Sequence, residues 1–389
     1  MSYLYWIAGC ILGLAWFSRI LQAALGVPSI ADISKPQWDR KPTSHPRVSI
    51  IVPARNEEED IEQALSLLLA LDYDNYEVIA INDRSNDRTG EIIDRIAASP
   101  AAHGCLKVVH VTELPKLWLG KTHAMWTAGL QATGDWLLFT DADVLFKRDA
   151  LRRALAYAEA EEADHVVVFP RMIMKRAGEK MMIAFFQTLF TFGHRPWKVA
   201  DPDTDDHMGV GAFNMVRRSV YEAVGTYKAL RMEVLDDMKL GKVIKKARFR
   251  QRNVFGEDLI SIRWAKGGAM GVVNNLTKNF FAVLSFQWWR TIASAFGLFF
   301  LNLGPFLGIG LAHGWARAPY GIALGSMFLI YLGMSLKSSI PPYYFLLHPV
   351  STMMFEYILL RSMFLTLRDD GVTWRGTKYP LEELRKGAV

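Results

Sequence analysis

The chain has 389 residues, 51% of them hydrophobic and 22% charged, with a formal charge of +6 and a mean hydropathy of +0.11. That length holds one large domain or two smaller ones, and with Cys10 and Cys105 as the only cysteines a disulfide framework or thiolate metal centre is excluded. The basic residues are dispersed and accompany no nucleic-acid-binding module, so the positive balance is read as contact with an anionic membrane surface, with no nucleic-acid partner expected.

The apolar excess lies at the two ends. Residues 4–27 are long enough to span a bilayer and lack the basic start and small-residue cleavage site of a secretory signal, which predicts a retained anchor over 1–27. Arg19, Lys35, Arg40, Lys41 and Arg47 then place the globular stretch 28–284 on the cytoplasmic side. The expectation is an integral, multi-pass protein of the cell inner membrane.

Within that stretch, Val48-Ser49-Ile50-Ile51-Val52-Pro53 is a short β-branched run closed by proline, hence a buried strand. Glu57-Glu58-Glu59-Asp60 is expected to open a helix, whose N-terminal dipole favours carboxylates, with Ile61, Leu65, Leu68 and Leu69 on its apolar face. A strand at 77–81 ends in Asn82-Asp83-Arg84-Ser85-Asn86-Asp87, followed by a helix at 89–98 and a strand at 106–111. Gly120-Lys121 precedes a small-residue helix through Gly129. The strand Trp136-Leu137-Leu138-Phe139 leads into Thr140-Asp141-Ala142-Asp143, and a helix at 149–160 and a strand at 165–169 complete the pattern. Such alternation predicts an α/β domain with a mostly parallel sheet, whose ligands bind beyond the carboxyl ends of the strands. Pro53, Asp83 and Asp141 all fall at such ends. The pair Asp141 and Asp143 suits a hard divalent cation that keeps positions open for phosphate oxygens.

Residues 180–198 crowd methionines and phenylalanines between Lys180 and the group His194, Arg195 and Lys198, which suits a helix in the membrane interface, although a core helix would carry the same apolar residues. His207 beside Asp203, Asp205 and Asp206 lacks strict ligand spacing and reads as a solvated loop. Asp236 and Asp237 precede a helical pattern, where acids commonly cap free N–H groups. Over 285–367 three apolar stretches follow, about 292–312, 320–336 and 343–367, the last interrupted by His348, Pro349, Glu356 and Arg361. Three full crossings would leave the tail 368–389 outside, whereas Arg368, Arg375 and Lys378 favour the inside. One stretch is therefore a candidate re-entrant or interfacial segment, and the sequence does not say which.

Over about 46–280 these segments resemble, in order and spacing, the GT-A family 2 glycosyltransferases, and are most similar to the hopene-associated and ceramide-glucosyltransferase-like members. Residues 48–58 look like the first strand and nucleotide-contacting turn, which implies donor contacts from Pro53, Arg55, Asn56 and Glu57. Residues 82–89 look like the Asp-Asp-x-Ser-x-Asp-x-Thr segment, in which Asp83 would accept from the uracil of a UDP-sugar. Gly120-Lys121-Thr122-His123-Ala124 is similar to the family's Gly-Lys-x-x-Ala, with Lys121 a candidate phosphate contact. Asp141 and Asp143 match its Asp-x-Asp, which holds Mg²⁺ or Mn²⁺ against the diphosphate.

Farther along, residues 209–214 with Arg217-Arg218 resemble the acceptor-side motif that includes Gly211. Leu235-Asp236-Asp237-Met238-Lys239-Leu240 is similar to Glu-Asp-x-x-Leu, so the catalytic base maps onto Asp237. Arg263-Trp264 matches the end of an acceptor-side Gln/Arg-x-x-Arg-Trp, but Ile260 stands where Gln or Arg belongs, which argues against a processive polymerase. Trp374-Arg375-Gly376 with Tyr379 is similar to the tail of membrane-bound members. The resemblance implies a GT-A domain flanked by N-terminal and C-terminal transmembrane helices, transferring one sugar from a nucleotide-sugar donor to a membrane lipid acceptor. A polyprenyl-phosphate sugar synthase is the alternative within the class, and an inactive nucleotide- or lipid-binding assembly component the alternative outside it.

Overall fold

The computed structural model describes residues 2–102 and 104–387, so the extreme ends of the expected anchor and tail at 1, 388 and 389 lie outside the described residues. In chain order the first elements are α1 (Ser2–Gly26), β1 (Val48–Ala54), α2 (Ile61–Leu69), β2 (Tyr76–Asp83), α3 (Thr89–Ala97), β3 (Leu106–Val111), α4 (Gly120–Gln131) and β4 (Trp136–Phe139). Then come β5 (Val144–Phe146), α5 (Ala150–Ala160), β6 (His165–Phe169), β7 (Arg171–Met172), α6 (Ala177–Gly193), β8 (Asn214–Arg217), α7 (Arg218–Ala223), α8 (Thr226–Ala229), α9 (Asp236–Lys246), β9 (Gln251–Phe255) and β10 (Ile260–Ile262). The rest are α10 (Gly268–Val283), α11 (Trp288–Leu311), α12 (Ala318–Ser335), α13 (His348–Arg368), β11 (Gly371–Trp374), β12 (Thr377–Pro380) and α14 (Leu381–Lys386).

Contacts divide the chain into two units. One holds Ile30–Ile173 and Lys198–Arg263; the other holds the chain up to Ser29 with Met174–Trp197 and Trp264–Arg385. The globular stretch expected at 28–284 is thus interrupted. Met182 and Phe185 of α6 and Val272, Val273 and Leu276 of α10 share a core with Phe355 and Ile358 of α13, because their apolar faces find apolar helices to cover them.

The first unit is built on a seven-stranded sheet in the order β3-β2-β1-β4-β8-β6-β9. β1 pairs in parallel with β2 and β4, β2 with β3, and β6 with β9, whereas β8 runs antiparallel to both neighbours. Ile51, Ile79, Leu137 and Phe139 bury one face of this sheet against Ala124, Met125 and Ala128 of α4 and Leu240 and Ile244 of α9. The registers Ala54↔Asn82, Ile51↔Phe139 and Phe139↔Asn214 fix what meets at the carboxyl edge. An antiparallel strand enters a sheet where its parallel neighbours leave it, so the loop before β8 lies beside the residues that follow β4.

Glu57–Asp60 lead into α2 as expected: Asp60 is its N-cap and Glu57 O accepts from Ile61 N (2.9 Å). The N–H groups of Glu57 and Glu58 donate to Thr89 Oγ1 (2.8 Å) and Asp87 Oδ2 (3.2 Å), drawing this turn onto the one after β2.

Glu77 of β2 is a buried carboxylate with a full set of partners. Oε1 accepts from Ser49 Oγ (2.7 Å), Thr133 N (2.7 Å) and Thr133 Oγ1 (2.6 Å), and Lys107 Nζ lies 2.5 Å from Oε2. Burial alone would push its pKa up, but the bonds from Lys107, Thr133 and Ser49 outweigh it and hold the carboxyl at about 2. A carboxylate depressed in the folded state stabilises above its unfolded pKa, and that contribution disappears as pH falls from the ordinary Glu range toward 2. Glu77→Gln is therefore expected to destabilise the unit by about 2–3 kcal/mol at pH 7. It should also flatten the acid limb of a stability-versus-pH curve measured by thermal melting.

In the second unit four segments are long and apolar enough to cross a membrane: Tyr3–Ser29, Trp288–Leu311, Gly314–Ser335 and Pro342–Arg368. Leu12 and Trp16 of α1 pack on Tyr320, Ala323 and Met327 of α12. Close helix approach is permitted by Gly308, where a Cβ would stand 2.1 Å from the Tyr320 ring. Tyr320 Oη donates to Tyr5 O (2.8 Å), so α12 starts beside the beginning of α1.

α13 behaves differently. Its first residue, His348, bonds Asn302 (3.1 Å) midway along α11 and Tyr331 of α12 (3.0 Å). Near its end Ser362 Oγ accepts from Phe281 N (2.9 Å) and Arg361 donates to Thr277 Oγ1 (2.9 Å), both on α10. Arg385 of the tail then donates to Phe286 O (2.9 Å), just before α11. α13 thus runs back along half of α11 and returns the chain to the end where α11 begins. Pro342–Arg368 is itself long and apolar enough to cross; a path that stops short of a full crossing would bring the basic tail to the membrane face at which α11 begins. Single cysteines at Lys378 and Ser285 are expected to react with an impermeant maleimide from one membrane face, and a cysteine at Gly314 from the other. Labelling of Lys378→Cys and Gly314→Cys from the same face would contradict this topology.

Candidate active site

Three turns at the carboxyl edge of the sheet supply the polar side chains. The turn after β1 holds Arg55, Asn56 and Glu57, with Asn56 in the left-handed region (φ 54°). Asn56 N donates to Ser85 Oγ (3.1 Å) and its Oδ1 accepts from Asn86 N (2.8 Å), fastening this turn to the one after β2. Pro53 is the penultimate residue of β1. Asp83 ends β2 and is 3% exposed. Its carboxylate is gripped by Arg84 Nε (2.8 Å) and Nη2 (3.1 Å), with Arg55 Nη1 3.8 Å away. Gly120, the first residue of α4, lies directly against it: a Cβ there would be 2.5 Å from Asp83 Oδ2.

Past β4, Thr140 Oγ1 donates to Ala212 O (2.8 Å) and Asp141 N to Gly211 O (3.0 Å), so the Asp-x-Asp turn is tied to the loop before β8. Lys121 Nζ lies 2.8 Å from Asp141 Oδ1 and 3.5 Å from Asp236 Oδ1. Burial would lower the lysine's pKa, but Asp141, Asp236 and Asp237 hold it raised and the side chain charged. Asp143 is pushed up to about 7 by burial and by the like charges of Asp141, Glu57 and Asp60. A buried carboxyl crowded by three acids is a site short of positive charge, so these residues fit a hard divalent cation. Among the described residues no three His, Cys, Asp or Glu side chains form a cage by themselves. Such an ion would therefore take its remaining oxygens from elsewhere, as phosphate supplies them.

The acid pair at the start of α9 completes the cluster. Asp237 accepts main-chain N–H groups on both oxygens, from Gly211 (2.8 Å) and Met238 (2.7 Å). Burial drives the carboxyls of Asp236 and Asp237 above the ordinary range, with Lys121 pulling the other way. The contact is backbone on backbone at Gly209, where a Cβ would stand 1.8 Å from Asp237 O.

Behind it lies a support that sequence reasoning missed. Gln251 Nε2 donates to His165 Nδ1 (2.7 Å) and Gly241 O (3.1 Å), its Oε1 accepts from Met208 N (2.8 Å), and His165 also bonds Asn214. Burial lowers His165 to about 4, so the ring is neutral and one nitrogen can donate while the other accepts. The available signal was a polar residue at the first position of each of three strands, His165, Asn214 and Gln251, which sequence alone does not bring together.

The structure thus brings Asp83, Lys121, Asp141, Asp143, Gly211 and Asp237 to one edge, beside Pro53, Arg55, Asn56 and Glu57. Arg84, Asp236 and Gly209 are additions to the expected set. Arg263 follows β10 in the sheet unit, whereas Trp264 begins the helical unit and packs on Phe186 with ring centroids 4.9 Å apart. His207 bonds Asp205 O (2.9 Å) within its own loop.

Residues 49–225 match the protein family described as Glycosyl transferase family 2. The 4,4'-diaponeurosporenoate glycosyltransferase of Staphylococcus aureus (strain MRSA252) is 24% identical over 350 residues, covering 87% of this chain and 90% of that protein. The protein of the same name from Staphylococcus haemolyticus (strain JCSC1435) is 24% identical over 236 residues, 60% of each chain. Among solved structures, a mannosyltransferase from Pyrobaculum calidifontis in complex with GDP-Man and Mn²⁺ superposes with a TM-score of 0.54 at 22% identity, covering 94% of this chain and 99% of that one. The sheet order, the crossing segments and these likenesses agree on a GT-A fold carried by a membrane protein.

Proposed function

We propose that this chain, whose residues 49–225 match Glycosyl transferase family 2, is such a transferase and moves a single hexose, with inversion, from a UDP-sugar to the hydroxyl of a membrane lipid. The observation that carries the reading is the convergence of Asp83, Asp141, Asp143 and Asp237 at one sheet edge, with Lys121 between Asp141 and Asp236. Four apolar segments favour a lipid-soluble acceptor, and relatives named for glycosylation of diaponeurosporenoate favour an acceptor that is a small molecule. The positive charges after α1 favour a cytoplasmic catalytic unit.

In this mechanism Asp83, released from Arg84, receives the N–H edge of the nucleobase. Asp237 takes the proton of the acceptor hydroxyl as that oxygen attacks the sugar C1 and the bond to the diphosphate breaks. A bound Mg²⁺ or Mn²⁺, held by Asp143 and Asp141, supplies neutralisation of the charge that grows on the leaving diphosphate. Gly211 N–H keeps the Asp237 carboxylate aimed, and burial raises its basicity. Gly211, Arg263 and Trp264 are the proposed acceptor-side residues.

An acceptor that is already an anion, such as a polyprenyl phosphate or the carboxylate that an "-oate" name denotes, would need little help from Asp237. The test is transfer of radiolabel from a panel of UDP- and GDP-sugars into organic-extractable lipid, using membranes bearing wild type or Asp143→Ala, with Mn²⁺ or chelator. GDP-sugars are included because the similar mannosyltransferase was solved with GDP-Man. Label in lipid only with wild type and metal supports the reading. Label that persists with chelator and with Asp143→Ala contradicts it.

A further inference from the structure

Asp141 is not open to an incoming cation as it stands. Its Oδ1 is held by Lys121 Nζ at 2.8 Å, and its Oδ2 lies so close to Gly211 that a Cβ there would be 2.5 Å away. The lysine is aimed by its backbone: Gly120 is wedged against Asp83 at the first turn of α4, leaving the next side chain directed at the acids. A second seat for the ammonium is close. Asp236 Oδ1 is 3.5 Å from Nζ, and Asp236 Oδ2 is buried without a hydrogen-bond partner. A buried carboxylate oxygen with no partner is costly, and a short shift of Lys121 would satisfy it.

Resting on the transferase reading above, we propose that Lys121 is an internal counter-ion that occupies the cation's place on Asp141 while the donor site is empty, and releases Asp141 by moving onto Asp236 when the nucleotide and its metal arrive. Lys121 is then a positioning residue that keeps the acids together without a ligand and makes metal and nucleotide binding interdependent. Metal alone must displace the ammonium from Asp141. The diphosphate draws the ammonium off by its own charge, so each ligand lowers the cost of the other.

The test is Mn²⁺ binding to the full chain in detergent, followed by electron paramagnetic resonance at fixed pH, with and without UDP. Wild type, Lys121→Met and Lys121→Arg are compared, with folding checked by thermal melting. Removing a competing cation should tighten Mn²⁺ binding without nucleotide roughly tenfold in Lys121→Met and weaken the enhancement given by UDP. Lys121→Arg, which keeps the charge, should stay close to wild type. Damage to the fold would lower metal affinity, the opposite sign. Mn²⁺ affinity in a folded Lys121→Met equal to or below wild type overturns the proposal, even where UDP-dependent Mn²⁺ binding to wild type upholds the transferase reading. Failure of wild type and both variants to bind Mn²⁺, with or without UDP, overturns both.

Discussion

Asp237→Asn is expected to lower turnover by about 10²–10⁴-fold, the usual worth of a positioned general base, while leaving nucleotide affinity nearly unchanged. Burial raises the basicity of this carboxylate, and the charge of Lys121 lowers it, helped by main-chain bonds. Main-chain N–H bonds from Gly211 and Met238 stabilise the anion and weaken it as a base, and burial does the reverse. Burial prevails, so the group is a stronger base than an exposed aspartate. The amide would also turn one NH₂ against a main-chain N–H, a mismatch that costs roughly 1–3 kcal/mol. A modest drop in melting temperature is therefore expected alongside the loss of rate. UDP binding by calorimetry separates the two effects. A kcat loss with intact UDP affinity assigns the base, whereas near-normal transfer by Asp237→Asn points to an anionic acceptor such as a lipid phosphate or carboxylate. Asp236→Asn should behave differently, weakening UDP and metal binding through Lys121 more than it slows the chemical step.

Much of this site was readable from the strand ends. Apolar runs at 48–53, 77–81 and 136–139 each stop at polar residues, and parallel pairing obliges those stops to lie on one edge, which is where Asp83 and Asp141 are found. What escaped the sequence depends on long-range pairing. β8 is a short run whose direction no periodicity reveals, yet its antiparallel entry is what sets Gly209 and Gly211 beside Asp141 and Asp237. Asp236 reads as an ordinary helix-start acid until α4 and α9 pack and Lys121 reaches it. The same limit applied to the helices. His348, Glu356 and Arg361 mark the last apolar stretch as unusual, but the partners of His348 and Arg361, namely Asn302, Tyr331 and Thr277, come from other helices and are invisible in the sequence. The acids at 57–60 do lead into a helix, but that Glu57 and Glu58 also donate their N–H groups to Thr89 and Asp87 depends on the pairing of β1 with β2.

The second large effect is expected at Asp143, where stability and activity should move in opposite directions. This carboxyl sits buried among the charges of Asp141, Glu57 and Asp60, an arrangement unfavourable to the empty protein. Asp143→Asn removes one of the crowded charges and keeps the side chain's shape. In chelator it should leave the melting temperature equal to wild type or raise it, by a few degrees for each kcal/mol of repulsion relieved. The crowding serves a bound ion, so the same substitution should abolish the thermal stabilisation that Mn²⁺ gives wild type, since a ligand stabilises only the state that binds it. Loss of several kcal/mol of charge neutralisation at the leaving diphosphate corresponds to a fall in transfer of roughly 10³-fold. The paired measurements are melting with chelator or Mn²⁺ and label transfer on the same preparations. An Asp143→Asn protein that melts well below wild type in chelator would make Asp143 a structural residue. One that still gains stability from Mn²⁺ would move the ion to other ligands.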